Sequence, residues 1–183
     1  YNKLGLKVMF WVPTPPYGVI TKTPVTKLED FRGKKIRTFG NVIPQLVNAV
    51  GGVPLSVAFG EIYTSLQTGV LDGALTDPPA MLVGRFNEVA KNAVLTGPTL
   101  GALTLIAPVA YIANLESWNR IPAQDRTIIE KVNKDIIAFG ADLMVKEASG
   151  AIGTLESRGV KITKLSIADA TAWGKRSPDF LKL

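Results

Sequence analysis

The sequence predicts an α/β fold, and three observations carry that prediction. Short β-like runs alternate with short helical ones between Lys34 and Thr76. Alternation over such distances argues for a largely parallel sheet with helices packed on it. The helical runs end in glycine, at Gly51 and Gly52 and again at Gly69, where a residue without a side chain closes a helix at little cost. Hydrophobic residues make up 46% of the 183 and charged residues 20%. That is enough apolar content for a core, in one domain or in two small lobes.

The elements follow in order. Leu6 to Val12 alternates, is rich in aromatics and reads as a strand, which "PTPPYG" breaks. Lys27 to Phe31 reads as a short helix with Thr26 as N-cap and Glu29 in the first turn. Lys34 to Thr38 is a strand. Asn41 caps a helix to about Val50, with Val42, Leu46 and Val50 as its apolar side. Val53 to Val57 is a strand, Gly60 to Gln67 a helix, and Val70 to Thr76 a further strand. A helix follows Pro79 to about Val83, with more helical character from Arg85 to Lys91. Asn92 to Leu115 carries no charge, but Pro98, Pro108 and two glycines spoil it as a spanning helix. It fits a buried strand with flanking loops, the strand running from Leu103 to Ala113 and kinked at Pro108. Between Pro122 and Pro178 there is no proline, and Ile128, Val132 and Ile136 recur at spacing four. That stretch reads as one very long helix, or as two broken near Gly140 or Gly150. Val160 to Leu165 is a strand and Ile167 to about Lys175 a helix.

Composition removes whole classes of chemistry. There is no Cys, so no disulfide and no thiolate nucleophile, and no His. Ser-His-Asp and Cys-His catalysis and His-based zinc sites are excluded within this chain. No cofactor motif and no metal-ligand cluster is legible, and no Gly-rich phosphate loop occurs. The net charge is +6, with the densest cluster in "RGKKIR", Arg32 to Arg37. The charges are otherwise scattered and lack aromatic interleaving, which argues against nucleic acid as a partner. The chain begins "YNKLGLKVMFWV", without an initiator Met or a signal-peptide pattern. Such a start fits a mature product or a piece cut inside a domain.

Arg37 is the most informative charge. It ends the strand "KKIR" before "TFGN" and a helix start. Ligands of open α/β sheets sit outside the carboxyl ends of strands, and a guanidinium offers a planar fork for a carboxylate or phosphate. A plain surface arginine is the competing reading. Thr76 and Asp77 end a later strand, at the same rim if the sheet is parallel. Asp77 equally reads as a helix cap before Pro78 and Pro79, Glu61 as a favourable first-turn acid, and Phe59 as core.

The order of motifs resembles a known family. "LEDFRGKKIRTFG", then a helix, then "VGGVPLSVAFGEIYTSLQTGVLDGALTDP" is similar to the extracytoplasmic solute receptors of tripartite ATP-independent periplasmic (TRAP) transporters, the DctP-like family. "NLESWNRIPAQDRTIIEKV" is similar to that family's entry into its long helix. The resemblance covers about residues 1–163 and is most specific through 26–78. It implies a type II periplasmic-binding-protein-like, two-lobed α/β fold that closes around an organic acid. It places the family's carboxylate-clamping arginine on Arg37, its cleft aromatic on Phe59 and a frequent ligand contact on Thr76.

Two departures qualify the resemblance. Acid-sugar-binding relatives have a second arginine where this chain has Tyr17, and Leu75 replaces a common glutamate. With Tyr17, Phe39, Phe59 and Leu75 facing the cleft around a single Arg37, and Thr76 and Asp77 beside it, the expected ligand is a monocarboxylate. The family's opening βαβ segment is absent and the chain ends early, so the expectation is a piece with an incomplete first lobe. On that reading residues 1–13 form a lobe-connecting strand and 14–101 the second lobe with the main binding motifs. Residues 102–139 return to the first lobe and start the long helix, and 140–183 cross back. The resemblance implies a non-enzymatic periplasmic receptor whose partners are a small organic acid and the permease subunits of a TRAP transporter. A ligand-sensing effector domain, or an enzyme using the same cleft, is the alternative.

Overall fold

The computed structural model describes residues 1–12, 14–97 and 109–177. In chain order its strands and α-helices are β1 (Leu6–Val12), β2 (Gly18–Thr21), β3 (Lys35–Thr38), α1 (Ile43–Ala49), β4 (Val53–Ser56), α2 (Ile62–Thr68), β5 (Gly73–Thr76), α3 (Pro78–Val83), β6 (Asn92–Leu95), β7 (Val109–Asn114), α4 (Leu115–Arg120), α5 (Ala123–Ser157), β8 (Lys161–Lys164) and α6 (Ile167–Arg176). The chain divides into two units, one of Tyr1–Pro15 with Ile106–Glu147 and the other of Pro16–Leu105 with Ala148–Leu183. No described helix is long and apolar enough to cross a membrane.

The larger unit is built on a six-stranded sheet of described residues in the order β4-β3-β5-β2-β6-β8. β3 is parallel to both β4 and β5, and β6 is parallel to β8. β2 is antiparallel to both of its neighbours. The sheet is therefore mixed where the sequence suggested a largely parallel one. The physical reason is β2 itself. Its four residues are buried throughout and follow a proline-rich stretch. A short, fully buried strand shows no alternation from which to read it. β6, also buried throughout, escaped reading for the same reason.

Each face of this sheet has its own cover. Ile20, Ala74 and Ala93 pack in one apolar cluster with Ile62, Leu66 and Leu71 from the α2 region, Phe86 and Leu155. On the other face, Val19, Ile36, Leu75 and Val94 are buried. On α6, Trp173 packs against Phe31 with tilted rings 5.3 Å apart, and its indole N–H donates to the Leu46 carbonyl at 2.9 Å. This ties α6 to α1. Gly69 ends α2 at φ 80°, a left-handed cap that costs glycine no side-chain strain.

Local caps differ from the sequence reading in two places. Thr26 is not the N-cap of the next turn, a 3-10 segment at Leu28–Phe31. Instead the Asp30 carboxylate reaches back and accepts from the Thr26 and Lys27 backbone N–H groups and from the Thr26 hydroxyl. Its pKa is held below the ordinary aspartate value by these donors, the Thr26 N–H first. Asn41 does not cap α1, which starts at Ile43 with Pro44 in its first turn.

In the smaller unit β1 pairs antiparallel with β7, with a register shift between Val8 and Phe10. Phe10 stacks on Tyr111 at 4.6 Å, and Lys7 bonds Glu130 at 3.2 Å while lying over the Trp118 ring. The strand expected at 103–113 is β7 from Val109 onward, and the rest of it lies outside the described residues. α5 is one unbroken helix of 35 residues, so neither Gly140 nor Gly150 interrupts it. With no proline inside, every N–H past the first turn keeps its partner. Ile128, Val132 and Ile136 on it are exposed.

Candidate functional site

A concavity of about 180 Å³ opens at one edge of the larger sheet. Strand direction explains what gathers there. β3, β4 and β5 run parallel, so all three finish at that edge. β2 runs the other way, with Gly18 opposite Thr76, so it begins there. Tyr17 before β2, Phe39 after β3, Phe59 in the 3-10 turn following β4, and Thr76 with Asp77 at the end of β5 converge as a result. Together with Arg37 and Ala80 they form the wall.

Side-chain parity decides the rest. Arg37 is in register with Leu55 on one side and Ala74 on the other, so the three share a face. Thr76, two residues beyond Ala74, projects from that same face. Leu75 lies between them, points to the opposite face beside Val19, and is fully buried. The wall therefore does not include Leu75. It does include Ala80, which sequence reasoning passed over. The available signal was its place three residues after Asp77, the spacing of an N-cap.

Arg37 as a residue is almost wholly buried, at 8% exposure, with its guanidinium at the wall of the cavity. Its Nε–H donates to the Val57 carbonyl at 3.0 Å, and the guanidinium carbon lies 4.8 Å from the Phe39 ring centroid. Phe39 in turn meets Tyr17 edge-on at 5.7 Å. Among the described residues no carboxylate lies within ion-pair distance of Arg37. Burial pulls its pKa below the usual arginine value, and the Tyr17 phenol opposes that pull. Phe59 is 42% exposed at the rim and packs on Phe86 at 5.5 Å.

Asp77 is the N-cap of α3, its Oδ1 accepting the Ala80 N–H at 2.9 Å. It also lines the cavity, so the cap and the wall are one residue. Burial raises its pKa above the ordinary aspartate value, and the Ala80 N–H and its own N–H oppose the rise. Thr76 is 4% exposed, and among the described residues its hydroxyl has no hydrogen-bond partner. Glu61 is exposed and outside the wall. Among the described residues no group of three or more Asp or Glu side chains gathers as a metal site would require. The arrangement provides a cation whose terminal nitrogens have no hydrogen-bond partner among the described residues, with aromatic sides and a polar floor, which is what holding a small anion demands.

A mixed α/β sheet with an anion-receiving rim, joined by a long helix to a second unit, is the architecture of the periplasmic solute-binding proteins. The chain belongs to family 7 of the bacterial extracellular solute-binding proteins, DctP, whose profile matches residues 2–182. It is 33% identical over 153 residues to the C4-dicarboxylate-binding periplasmic protein DctP of Rhodobacter capsulatus, covering 82% of this chain and 44% of that one. It superposes with a TM-score of 0.83 on a TRAP periplasmic solute-binding protein of Pseudomonas putida F1 with bound D-glucuronate, at 29% identity over 94% of this chain and 54% of that one. An extracytoplasmic solute receptor of Bordetella pertussis that binds pyroglutamic acid gives a TM-score of 0.86 at 24% identity, covering 96% of this chain and 56% of that one. The chain thus spans about half the length of these relatives.

Proposed function

We propose that this chain supplies the carboxylate-receiving wall of a periplasmic solute receptor, which binds a small monocarboxylic acid and delivers it to the membrane permease of a TRAP transporter. One observation carries the reading. Arg37 is buried among aromatic rings and, among the described residues, makes a single hydrogen bond, through Nε, with no carboxylate in ion-pair distance. A cation so placed is costly unless something pairs with it, and both terminal nitrogens remain for a bidentate oxyanion. Two of the solved relatives hold acids with one carboxyl group, D-glucuronate and pyroglutamic acid, whereas the Rhodobacter capsulatus relative is named for C4-dicarboxylates, so it is the wall of this chain and not its kinship that favours a monocarboxylate. The family's extracytoplasmic setting supports the location.

The monocarboxylate preference follows from the charges in the wall. One cation neutralises one carboxylate, and a second carboxylate would meet the Asp77 carboxyl group rather than another arginine. The test is a calorimetric or thermal-shift panel on the intact protein, pairing monoacids with diacids of the same chain length. Monoacids should stabilise the protein more at equal concentration. Succinate-like diacids outranking their monoacid counterparts would overturn the reading.

A further inference from the structure

From the floor of the cavity we infer a finer selection, which rests on the carboxylate reading above: the site takes acids that carry a hydrogen-bond donor on the carbon next to the carboxylate, read by Asp77 and Thr76. Both residues are already in the wall with Arg37. Their position relative to Arg37 is set by register. Arg37 lies opposite Ala74 on neighbouring parallel strands, and Thr76 is two residues further along β5, roughly 7 Å along the strand on the same face. An arginine side chain extending toward the strand ends brings its terminal nitrogens into that zone, so a carboxylate on Arg37 would have its next carbon over Thr76 and Asp77.

Neither group has its hydrogen bonding completed by the protein. Thr76 is more than nine-tenths buried as a residue and borders the cavity, and its hydroxyl has no partner among the described residues. The Asp77 carboxylate accepts the Ala80 N–H through Oδ1, and among the described residues no cation or other side chain is bonded to it. Burial already disfavours its charged form. A carboxylate can only accept, and a hydroxyl can accept as well as donate. The two together want a donor, which an α-hydroxyl, an α-ammonium or an amide N–H provides and a plain aliphatic acid does not. Leaving such buried acceptors unmatched is what lets a site reject the analogue that lacks the donor.

Trios that share one carbon skeleton read this directly on the intact protein: 4-methylpentanoate, 2-hydroxy-4-methylpentanoate and leucine, with propionate, lactate and alanine, and phenylacetate, mandelate and phenylglycine, as further skeletons. In the skeleton that fits, a donor-bearing acid should bind roughly 10- to 100-fold tighter than the plain acid. Whether hydroxyl or ammonium leads identifies the donor. Asp77→Asn keeps an oxygen for the Ala80 N–H, and Thr76→Val keeps the shape, so both should fold, as a thermal melt verifies. Each should shrink the ratio between donor-bearing and plain acid toward one. Equal affinities within every trio, or variants that lower all members of a trio by the same factor, overturn the inference while leaving the carboxylate reading intact. Absence of binding by every acid in the panel overturns both.

Discussion

Replacing Arg37 with methionine separates the two things a buried cation can do. A structural arginine holds the fold, and its loss destabilises. A binding arginine is kept in an environment it would otherwise avoid, and its loss removes the ligand while leaving the apoprotein no worse. Here Arg37 is 8% exposed as a residue, and its guanidinium donates to Val57 O at 3.0 Å and lies 4.8 Å from the Phe39 ring. Removing it leaves the Val57 carbonyl short of a donor, at about 1–3 kcal/mol, and forfeits about 0.5–2 kcal/mol of cation–π attraction. Against this stands the relief of an unpaired buried charge, several kcal/mol. Methionine fills much of the volume with a flexible apolar chain. The apoprotein should therefore change by no more than about 2 kcal/mol in either direction, read by urea denaturation without ligand. Binding of a monocarboxylate should fall by about 2–5 kcal/mol, roughly 30- to 4,000-fold by calorimetry. Arg37→Lys should also weaken binding, since an ammonium keeps the charge but not the fork. A methionine variant that unfolds easily yet binds with unchanged affinity would show that Arg37 is structural and refute the reasoning.

Two further outcomes test the frame around the site. Asp30 accepts from Thr26 and Lys27 in the turn that leads into β3, so Asp30→Ala should cost about 1 kcal/mol in a thermal melt. Because these bonds lower its pKa in the folded state, that contribution is present above the unfolded aspartate pKa. It fades as pH falls through the lowered folded value, so wild type and variant should converge in strong acid. Gly69 and Gly153 should respond with opposite sign to alanine. At Gly69 an added Cβ meets nothing closer than Lys22 Nζ at 3.8 Å, but φ is +80°, so the strain is in the backbone and costs about 1–2 kcal/mol. At Gly153, inside α5 with open space around it, alanine should stabilise by about 0.5–1 kcal/mol. Equal effects at the two sites in one denaturation series would contradict the assigned backbone geometry.

Composition and local pattern determined much about this protein. The absence of His and Cys excluded the common catalytic and zinc sites before any fold was known. The strands at Leu6–Val12 and Lys35–Thr38, the glycine stop at Gly69 and the long helix after Pro122 all rest on local signals, alternation, caps and missing prolines. The rim position of Arg37, Thr76 and Asp77 was also legible, because it needs only that β3 and β5 run parallel. Tertiary structure decided what local signals cannot carry. β2 is four residues without alternation, and it becomes a strand only because β5 and β6 supply both sets of partners. Its reversed direction is what brings Tyr17 to the rim, a position that sequence reached by resemblance alone. Parity along β5 turned Leu75 away while turning Thr76 in. A one-residue difference reverses the face of a strand residue, and which face meets the cavity is fixed by the elements packed behind the sheet, far away in the chain.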